Sequence, residues 1–254
     1  MTDPDMAYVL RTAARRLDRS TRRAFLRRSL GFGTLGLLGG CSVTDGFGAE
    51  RALSAMNDFN DRVQAWLFDP ARLAREYPAS AITRPFPFNS FYSPNSPDLA
   101  PAIAAAGWVL NVTGRVERQE DWTLRQLYGL PRVTQITRHV CIEGWSAIGQ
   151  WSGVRLSHFL ERVGADLRAK YVTFRCDDDY VTSIDMASAL HPQTQLCLWM
   201  DGQVLPRRHG FPLKLRVPTK LGFKNAKHVG EIEVGNDYTG GTWETYGYNW
   251  HGGL

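Results

Sequence analysis

The sequence predicts an α+β fold of mixed short strands and short helices. Runs rich in β-branched and aromatic residues, which favour strands, are short and numerous. Several short amphipathic runs favour helices. The two kinds of segment do not alternate regularly, as they would around a doubly wound parallel sheet, so α+β is preferred over α/β. No internal repeat or low-complexity tract is found.

The predicted elements follow in chain order. An amphipathic helix is expected over residues 50–68, where apolar residues recur at near-helical spacing. Asp185 is expected to cap a helix, and Asp201-Gly202 to form a turn. The other predicted elements are strands over 107–117, 132–141, 171–176, 181–184, 195–200, 212–217 and 228–234, with helices over 122–127, 154–163 and 186–190.

The N-terminus has the pattern of an export signal. Arg22-Arg23 precedes the uncharged segment Leu30–Gly40, whose 11 residues are too few to span a bilayer, which needs roughly 20. This predicts a twin-arginine signal and export to the periplasmic side of the envelope. Leu38-Gly39-Gly40-Cys41 resembles a lipoprotein cleavage box, which predicts lipidation at Cys41; ordinary cleavage nearby and an uncleaved tether are the alternatives.

These signals divide the chain into three parts. They are a signal peptide over 1–41, a helical or linker segment over 42–84 and a catalytic domain over 85–254. Residues 1–40 contain eight Arg and three Asp, so the formal charge of +5 belongs to the signal. The remainder is near neutral, which argues against a nucleic-acid partner.

Residues 69–106 are rich in Pro and Asn, and the prolines exclude a regular helix over Arg84–Asn95. Its aromatic residues predict an ordered loop that covers a pocket rather than a surface linker.

The stretch Arg138–Ser146 brings Cys141 out of a β-branched run into a turn rich in Gly and Trp. A thiol there, flanked by Arg138 and Glu143, can be a soft metal ligand. The alternative is a buried structural cysteine. Beyond Cys41, three cysteines remain, and an odd number in an exported protein predicts at least one free or liganded thiol.

A second chemical segment is basic. Lys214–Lys227 contains five cations in 14 residues. Gly222 would allow backbone N–H groups to approach an anion, and Lys224 supplies charge. The alternative is a solvated basic strand pair.

Together these pieces resemble the sulfite-oxidase-fold molybdopterin oxidoreductases, and within them the periplasmic methionine sulfoxide reductases. The resemblance covers roughly residues 85–234. It is carried by Asn89-x-Phe91-Tyr92, Arg138-x-x-Cys141-x-Glu143-Gly144-Trp145-Ser146, His191-Pro192, Leu205-Pro206, His209-Gly210-x-Pro212 and Pro218-x-Lys220-x-Gly222-Phe223-Lys224.

The resemblance implies a Mo-molybdopterin cofactor with Cys141 as its metal ligand. Cys176 occupies a position where the family usually has threonine, and Lys214 replaces an arginine, keeping the charge but losing the bidentate fork. The residues implied to bind the pterin or its phosphate are Asn89, Tyr92, Ser93, Cys176, His209, Lys214, Gly222, Phe223 and Lys224.

The implied reaction is oxygen-atom transfer, with reduction of a sulfoxide or related S- or N-oxide preferred. Glu143 and Trp145 follow the cysteine, and a carboxylate there repels sulfite while an indole suits a neutral sulfoxide. Arg138 or His139 could polarise the oxygen, and Glu143 could relay protons. Sulfite-type oxidation, a non-catalytic lipid-anchored binding protein and a structural lipoprotein are the alternatives.

An electron partner is also implied. The sequence contains no CxxCH haem-attachment motif, so a membrane haem protein or a soluble cytochrome is expected to exchange electrons with the enzyme.

Overall fold

The computed structural model describes residues 47–89 and 107–254. Of the described residues, 47–59 belong to one compact unit and 60–89 with 107–254 to another. The predicted export signal, Cys41, Tyr92 and Ser93 lie outside the described residues. Among the residues that are described, no helix is long and apolar enough to cross a membrane.

The first sheet has the strand order β2-β1-β10-β5-β6. Its β1–β10 pair is parallel and the other pairs are antiparallel, which gives a mixed sheet. The strands are β1 Val109–Gly114, β2 Trp122–Thr123, β5 Tyr171–Cys176, β6 Val181–Asp185 and β10 Val229–Gly235.

The second sheet has the order β3-β4-β7-β8, and β9 also pairs with β7. All of its pairs are antiparallel. Asp201 and Gly202 both have positive φ, 50° and 78°, as a two-residue hairpin turn requires. The strands are β3 Arg132–Val140, β4 Ser146–Arg155, β7 Gln195–Met200, β8 Gln203–Val204 and β9 Lys214–Arg216.

Short helices connect the strands. Asp185 caps the helix Met186–Leu190 by accepting a hydrogen bond of 3.0 Å from Ser188 N, as predicted. The α-helices are α1 Phe47–Leu67, α2 Leu124–Tyr128, α3 Leu156–Arg162 and α4 Met186–Leu190. The 3₁₀ turns are Ala79–Ala81, Arg207–His209, Gly222–Lys224 and Glu244–Tyr246.

The mixed α+β class predicted from the sequence is confirmed, with one clear error. Residues 146–155 form β4, which was not predicted, and the helix expected from Val154 therefore begins at Leu156. Glycines made this segment resemble a turn. Gly153 is in fact required by packing, since a Cβ there would lie 1.9 Å from Leu196 O on β7.

Two apolar clusters are built around these sheets. The larger contains residues of both sheets and of α3, including the fully buried Phe159 and Val154. The smaller contains Trp151, Cys197, Met200 and Leu205, with Phe86 packed against it. Phe86 and Trp151 also line the cavity that contains Cys141, so the smaller cluster packs behind one wall of that cavity.

Candidate active site

Cys141 lies at the tip of the hairpin that joins β3 to β4. Cys141 N donates to Trp145 O at 2.9 Å, and Gly144 N donates to Cys141 O at 3.2 Å. Gly144 has φ +90° with no atom within 4 Å of a Cβ, so conformation rather than space requires glycine. This three-residue loop with a left-handed third residue fixes the thiol at the end of a rigid ribbon.

The thiol opens onto a cavity of about 340 Å³. Its walls come from the hairpin, the Phe86–Asn89 segment, the 3₁₀ turn after Pro206 and the loop around Gly222. The lining residues are Phe86, Pro87, Phe88, Asn89, His139, Cys141, Ile142, Glu143, Trp145, Trp151, His209, Lys214, Gly222, Phe223, Asn225, Lys227 and Trp243.

A carboxylate and aromatic rings stand beside the thiol. Trp145 Nε1 donates to Glu143 Oε2 at 3.0 Å, which orients the exposed carboxylate at the cavity edge. The Phe86 ring lies edge-on to Trp145 and Trp151, with centroids 6.4 and 5.2 Å away. One side of the cavity is therefore apolar, and a carboxylate two residues from Cys141 stands at its edge.

Two ammonium groups line the cavity. Lys214 is buried and donates to Asn225 O at 2.9 Å, and Lys227 donates to Asn89 Oδ1 at 2.8 Å. Burial, followed by the charge of Lys227, holds the pKa of Lys214 well below its usual value. Burial lowers the pKa of Lys227 to about 8, against the opposing pull of Asp178. A bound anion beside them would stabilise the charged form of both ammonium groups and raise their pKa values.

Arg216 ties the cysteine hairpin to the basic loop. Its fully buried guanidinium donates to Arg138 O at 2.6 Å and to Thr137 Oγ1 at 3.1 Å, both on β3. Its other amino group donates to Asn225 Oδ1 at 2.7 Å, and Asn225 lines the cavity. The two walls that carry Cys141 and the lysines are thereby held together by one side chain.

Two imidazoles complete the lining, and both are held neutral. The pKa of His139 lies well below its usual value because of burial and then the charge of Arg216. The pKa of His209 falls to about 3 through burial and then Lys227. His139 Nδ1 is buried without a hydrogen-bond partner in the described structure. Neutral imidazoles can donate or accept a hydrogen bond without adding charge.

Burial raises the pKa of the Cys141 thiol, although its hydrogen bond with the Glu143 backbone opposes this shift. The sulfur is therefore mostly protonated at neutral pH, and a bound metal ion would convert it to the thiolate.

Most of the site residues predicted from the sequence come together here. The lining contains Asn89, Cys141, Glu143, His209, Lys214, Gly222 and Phe223. Three predicted residues lie outside this lining: Arg138, Cys176 and Lys224.

Each of these three residues has another environment. Arg138 is on the exposed face of β3, with its guanidinium 5.6 Å from the centre of the Tyr77 ring. The buried Lys224 ammonium pairs with Glu244 and donates to Ser183 O. Cys176 packs against the larger apolar cluster. None of the three lines this cavity, and their expected roles stay predictions.

Several lining residues were not predicted from the sequence. Lys227 could have been found as the last cation of the basic run. Asn225, Phe86 and Trp243 carry no local signal, because only the fold brings them to Cys141.

No cluster of three or more His, Cys, Asp or Glu residues that could hold a metal ion occurs in the described part of the chain. A structural zinc site would need four such ligands and a catalytic one three. A metal at Cys141 would therefore need most of its ligands from a bound organic group.

Comparison with known families identifies such a group. The model of the oxidoreductase molybdopterin binding domain matches residues 98–243, which include Cys141 and the Gly222 loop. The chain belongs to this family and is a molybdopterin-binding oxidoreductase.

Among its relatives, the chain is 58% identical over 237 residues to YedZ1 of Azospira oryzae, a proposed protein-methionine-sulfoxide reductase subunit; the match covers 93% of this chain and 89% of that protein. It is 33% identical over 166 residues to the protein-methionine-sulfoxide reductase catalytic subunit MsrP of Xanthomonas campestris, covering 57% of this chain and 52% of that protein. The sulfane dehydrogenase SoxCD of Paracoccus pantotrophus aligns with a TM-score of 0.49 and 21% identity, over 52% of this chain and 39% of that one.

Proposed function

We propose that this chain is a molybdenum-molybdopterin enzyme that reduces sulfoxides, with methionine sulfoxide as the favoured substrate class. The observation that carries the proposal is the position of Cys141, whose thiol opens onto a cavity between a carboxylate, an aromatic wall and buried cations. The names of the two methionine-sulfoxide reductase relatives support the choice of substrate.

The charges of the site fit a molybdopterin group. Lys214 and Arg216 are buried, and in the described structure neither has a carboxylate oxygen within 4.0 Å. Buried cations are normally paired, so an anionic ligand is the missing partner. The pterin carries a phosphate and a dithiolene, which supply that negative charge.

In this proposal, Cys141 Sγ ligates the metal, and Asn89, His209, Lys214 and Lys227 hold the pterin. A single soft thiolate beside the dithiolene suits molybdenum, since sulfur ligands favour soft metal sites. When bound, this cofactor supplies the two-electron chemistry of oxygen-atom transfer. The predicted pterin contacts of Tyr92 and Ser93 remain part of the proposal.

The protein supplies positioning and protons. The rings of Phe86 and Trp145 provide an apolar wall for the alkyl groups of a sulfoxide, and sulfur packs favourably against aromatic edges. Glu143, which Trp145 Nε1 orients, is exposed at the cavity edge. It can take protons from water and pass them to the departing oxygen.

The direction of the reaction follows from the same residues. A sulfoxide gains two electrons and two protons and becomes a sulfide and water. The Glu143 carboxylate next to Cys141 repels sulfite, which is anionic, but does not repel a neutral sulfoxide. Reduction is therefore favoured over sulfite oxidation.

The test uses purified holoprotein reduced with methyl viologen. We expect it to reduce free and peptide-bound methionine sulfoxide, and to oxidise sulfite much more slowly with ferricyanide as acceptor. Cys141→Ser should lose at least about 100-fold in rate. The control Cys197→Ser changes a buried thiol outside the cavity lining and should keep its activity. Fast sulfite oxidation without sulfoxide reduction would reverse the assigned direction.

We also propose that the enzyme is exported by the twin-arginine route, anchored through lipidated Cys41 on the periplasmic side, and supplied with electrons by a haem protein. The support is the Arg22-Arg23 signal, the Cys41 box and the absence of a CxxCH motif from the sequence. Labelled fatty acid should enter the wild-type protein but not Cys41→Ala; equal labelling of the two would disprove the anchor.

A further inference from the structure

Exposed arginines lie along the outermost strand of the second sheet. The strand β3 is the edge strand, and its Arg132, Thr134 and Arg138 are exposed while Gln135 and Thr137 are buried. Arg132 and Arg138 lie six residues apart, which is about 20 Å along a strand. Both guanidinium groups therefore project from one side of the edge strand.

A second segment adds to this surface. Tyr77 N donates to Ile136 O at 2.9 Å, so the segment around Tyr77 runs beside β3. The guanidinium carbons of Arg75 and Arg138 lie 5.0 and 5.6 Å from the centre of the Tyr77 ring. We call Arg75, Tyr77, Arg132 and Arg138 the arginine edge.

Ring contacts hold these cations in place, while their charge is left unneutralised. Arg132 lies 4.9 Å from the Trp199 ring, as Arg75 and Arg138 lie against Tyr77. Across residues 47–89 and 107–254, none of the three arginines has a carboxylate within 4.0 Å. Fixed, exposed guanidinium groups lose little freedom on binding and can grip carboxylates with two hydrogen bonds.

The arginine edge is also close to Cys141 along the chain. Arg138, near the end of β3, is three residues before Cys141, or about 10 Å along the chain. Its carbonyl accepts a hydrogen bond from the buried Arg216 at 2.6 Å. Since Arg138 does not line the cavity, a protein seated on the arginine edge would leave the aromatic side of the cavity open to substrate.

We propose that the arginine edge is the docking surface for an acidic haem protein that delivers electrons to the site. This inference rests on the proposed sulfoxide reduction. Each haem gives up one electron and is oxidised, so two encounters supply the two electrons that convert one sulfoxide and two protons into a sulfide and water. Complementary charge would speed each encounter and make it sensitive to salt.

The experiment uses holoprotein and an acidic cytochrome, chemically reduced, as the probe donor. The second-order rate constant of cytochrome oxidation is measured with excess methionine sulfoxide over a range of ionic strength. Arg75→Gln with Arg132→Gln should lower this constant about tenfold at low salt and flatten its salt dependence. Sulfoxide reduction driven by methyl viologen should be unchanged in the same variant.

The matched control is Arg118→Gln with Arg125→Gln. These arginines are also exposed, have no ion pair in the described structure, and lie on the β1–α2 segment. An equal loss in both double variants would mean that only net charge matters and would overturn the docking surface, as would no loss in either.

Two further outcomes are separable. If the wild type fails to reduce sulfoxide with viologen, the proposed function fails and not the docking surface alone. If the arginine variant loses binding to phosphatidylglycerol vesicles but keeps the wild-type rate with the cytochrome, the surface contacts lipid headgroups and the proposal is wrong.

Discussion

Two pairs of buried cations lie within one short stretch of sequence, and the fold treats them differently. Lys220 Nζ lies 3.4 Å from Asp185 Oδ1, and Lys224 pairs with Glu244. Lys214 and Arg216 instead donate to neutral oxygens, chiefly those of Asn225 and β3. The first pair is neutralised by this chain, whereas the second still needs an anion.

This difference separates two functions within the basic segment. Lys224 is neutralised by Glu244 in the C-terminal segment, and Lys220 Nζ, which pairs with Asp185, also donates to His251 O at 2.7 Å. Those lysines hold the C-terminal segment to the loop. Lys214 lines the Cys141 cavity, where an anionic cofactor would pair with it, and the charge of Arg216 acts on His139 in the same lining.

The largest effect is expected for Glu244→Gln. This change leaves the Lys224 ammonium buried without a counter-charge, so the free energy of unfolding should fall by about 3 kcal/mol. Urea denaturation of the cofactor-free protein measures it. The control Glu233→Gln breaks a pair with Arg175 that is about one-third exposed on each side, at 42% and 34%, and should cost less than about 1 kcal/mol. Equal losses would show that the Lys224 pair is no more important than a surface one.

Lys214→Met should have a small effect on stability and a larger effect on pterin binding. Removing a buried cation that lacks a counter-charge should change the stability of the cofactor-free protein by less than about 1.5 kcal/mol. Pterin should nevertheless dissociate about tenfold faster, because a charged contact is lost. Pterin fluorescence after dialysis measures this.

The matched variant Lys220→Met leaves Asp185 without its ion pair, so it should lose stability and retain more pterin than Lys214→Met. If Lys214→Met instead lost as much stability as Lys220→Met and kept its pterin, the two groups of cations would have the same structural role.

The sequence could predict local structure where one strand or one turn carries the signal. The helix cap at Asp185, the turn at Asp201-Gly202 and the strand before Cys141 were predicted correctly. The strand β4 was missed because Gly149 and Gly153 resemble turn residues. Both positions need glycine because of residues distant in sequence: a Cβ at Gly149 would lie 2.9 Å from the Phe86 ring, and one at Gly153 would lie 1.9 Å from Leu196 O.

The site shows the same limit. Cys141, Glu143 and Gly222 could be found because their chemistry is visible in short motifs. Lys224 could not be told apart from Lys214 by sequence, since the difference lies in Glu244, which is 20 residues away. Arg138 does not line the cavity because strand alternation puts its neighbour His139 towards it.

The smallest expected effect concerns pH and the remaining cavity lysine, Lys227. The pKa of Lys227 in the folded protein, about 8, lies below the usual lysine value of 10.5, so between these values the unfolded chain binds more protons. The contribution of Lys227 to stability must then rise with pH across that window. Raised thiol pKa values at Cys141 and Cys197 act in the opposite direction in both wild type and Lys227→Gln, and loss of the Lys227 charge would raise the pKa of Cys141 further in the variant. The difference in unfolding free energy between these two cofactor-free proteins, measured in urea from pH 7.5 to 10, should therefore move in favour of wild type as pH rises. A flat or falling difference would contradict the lowered pKa of Lys227 in the folded protein.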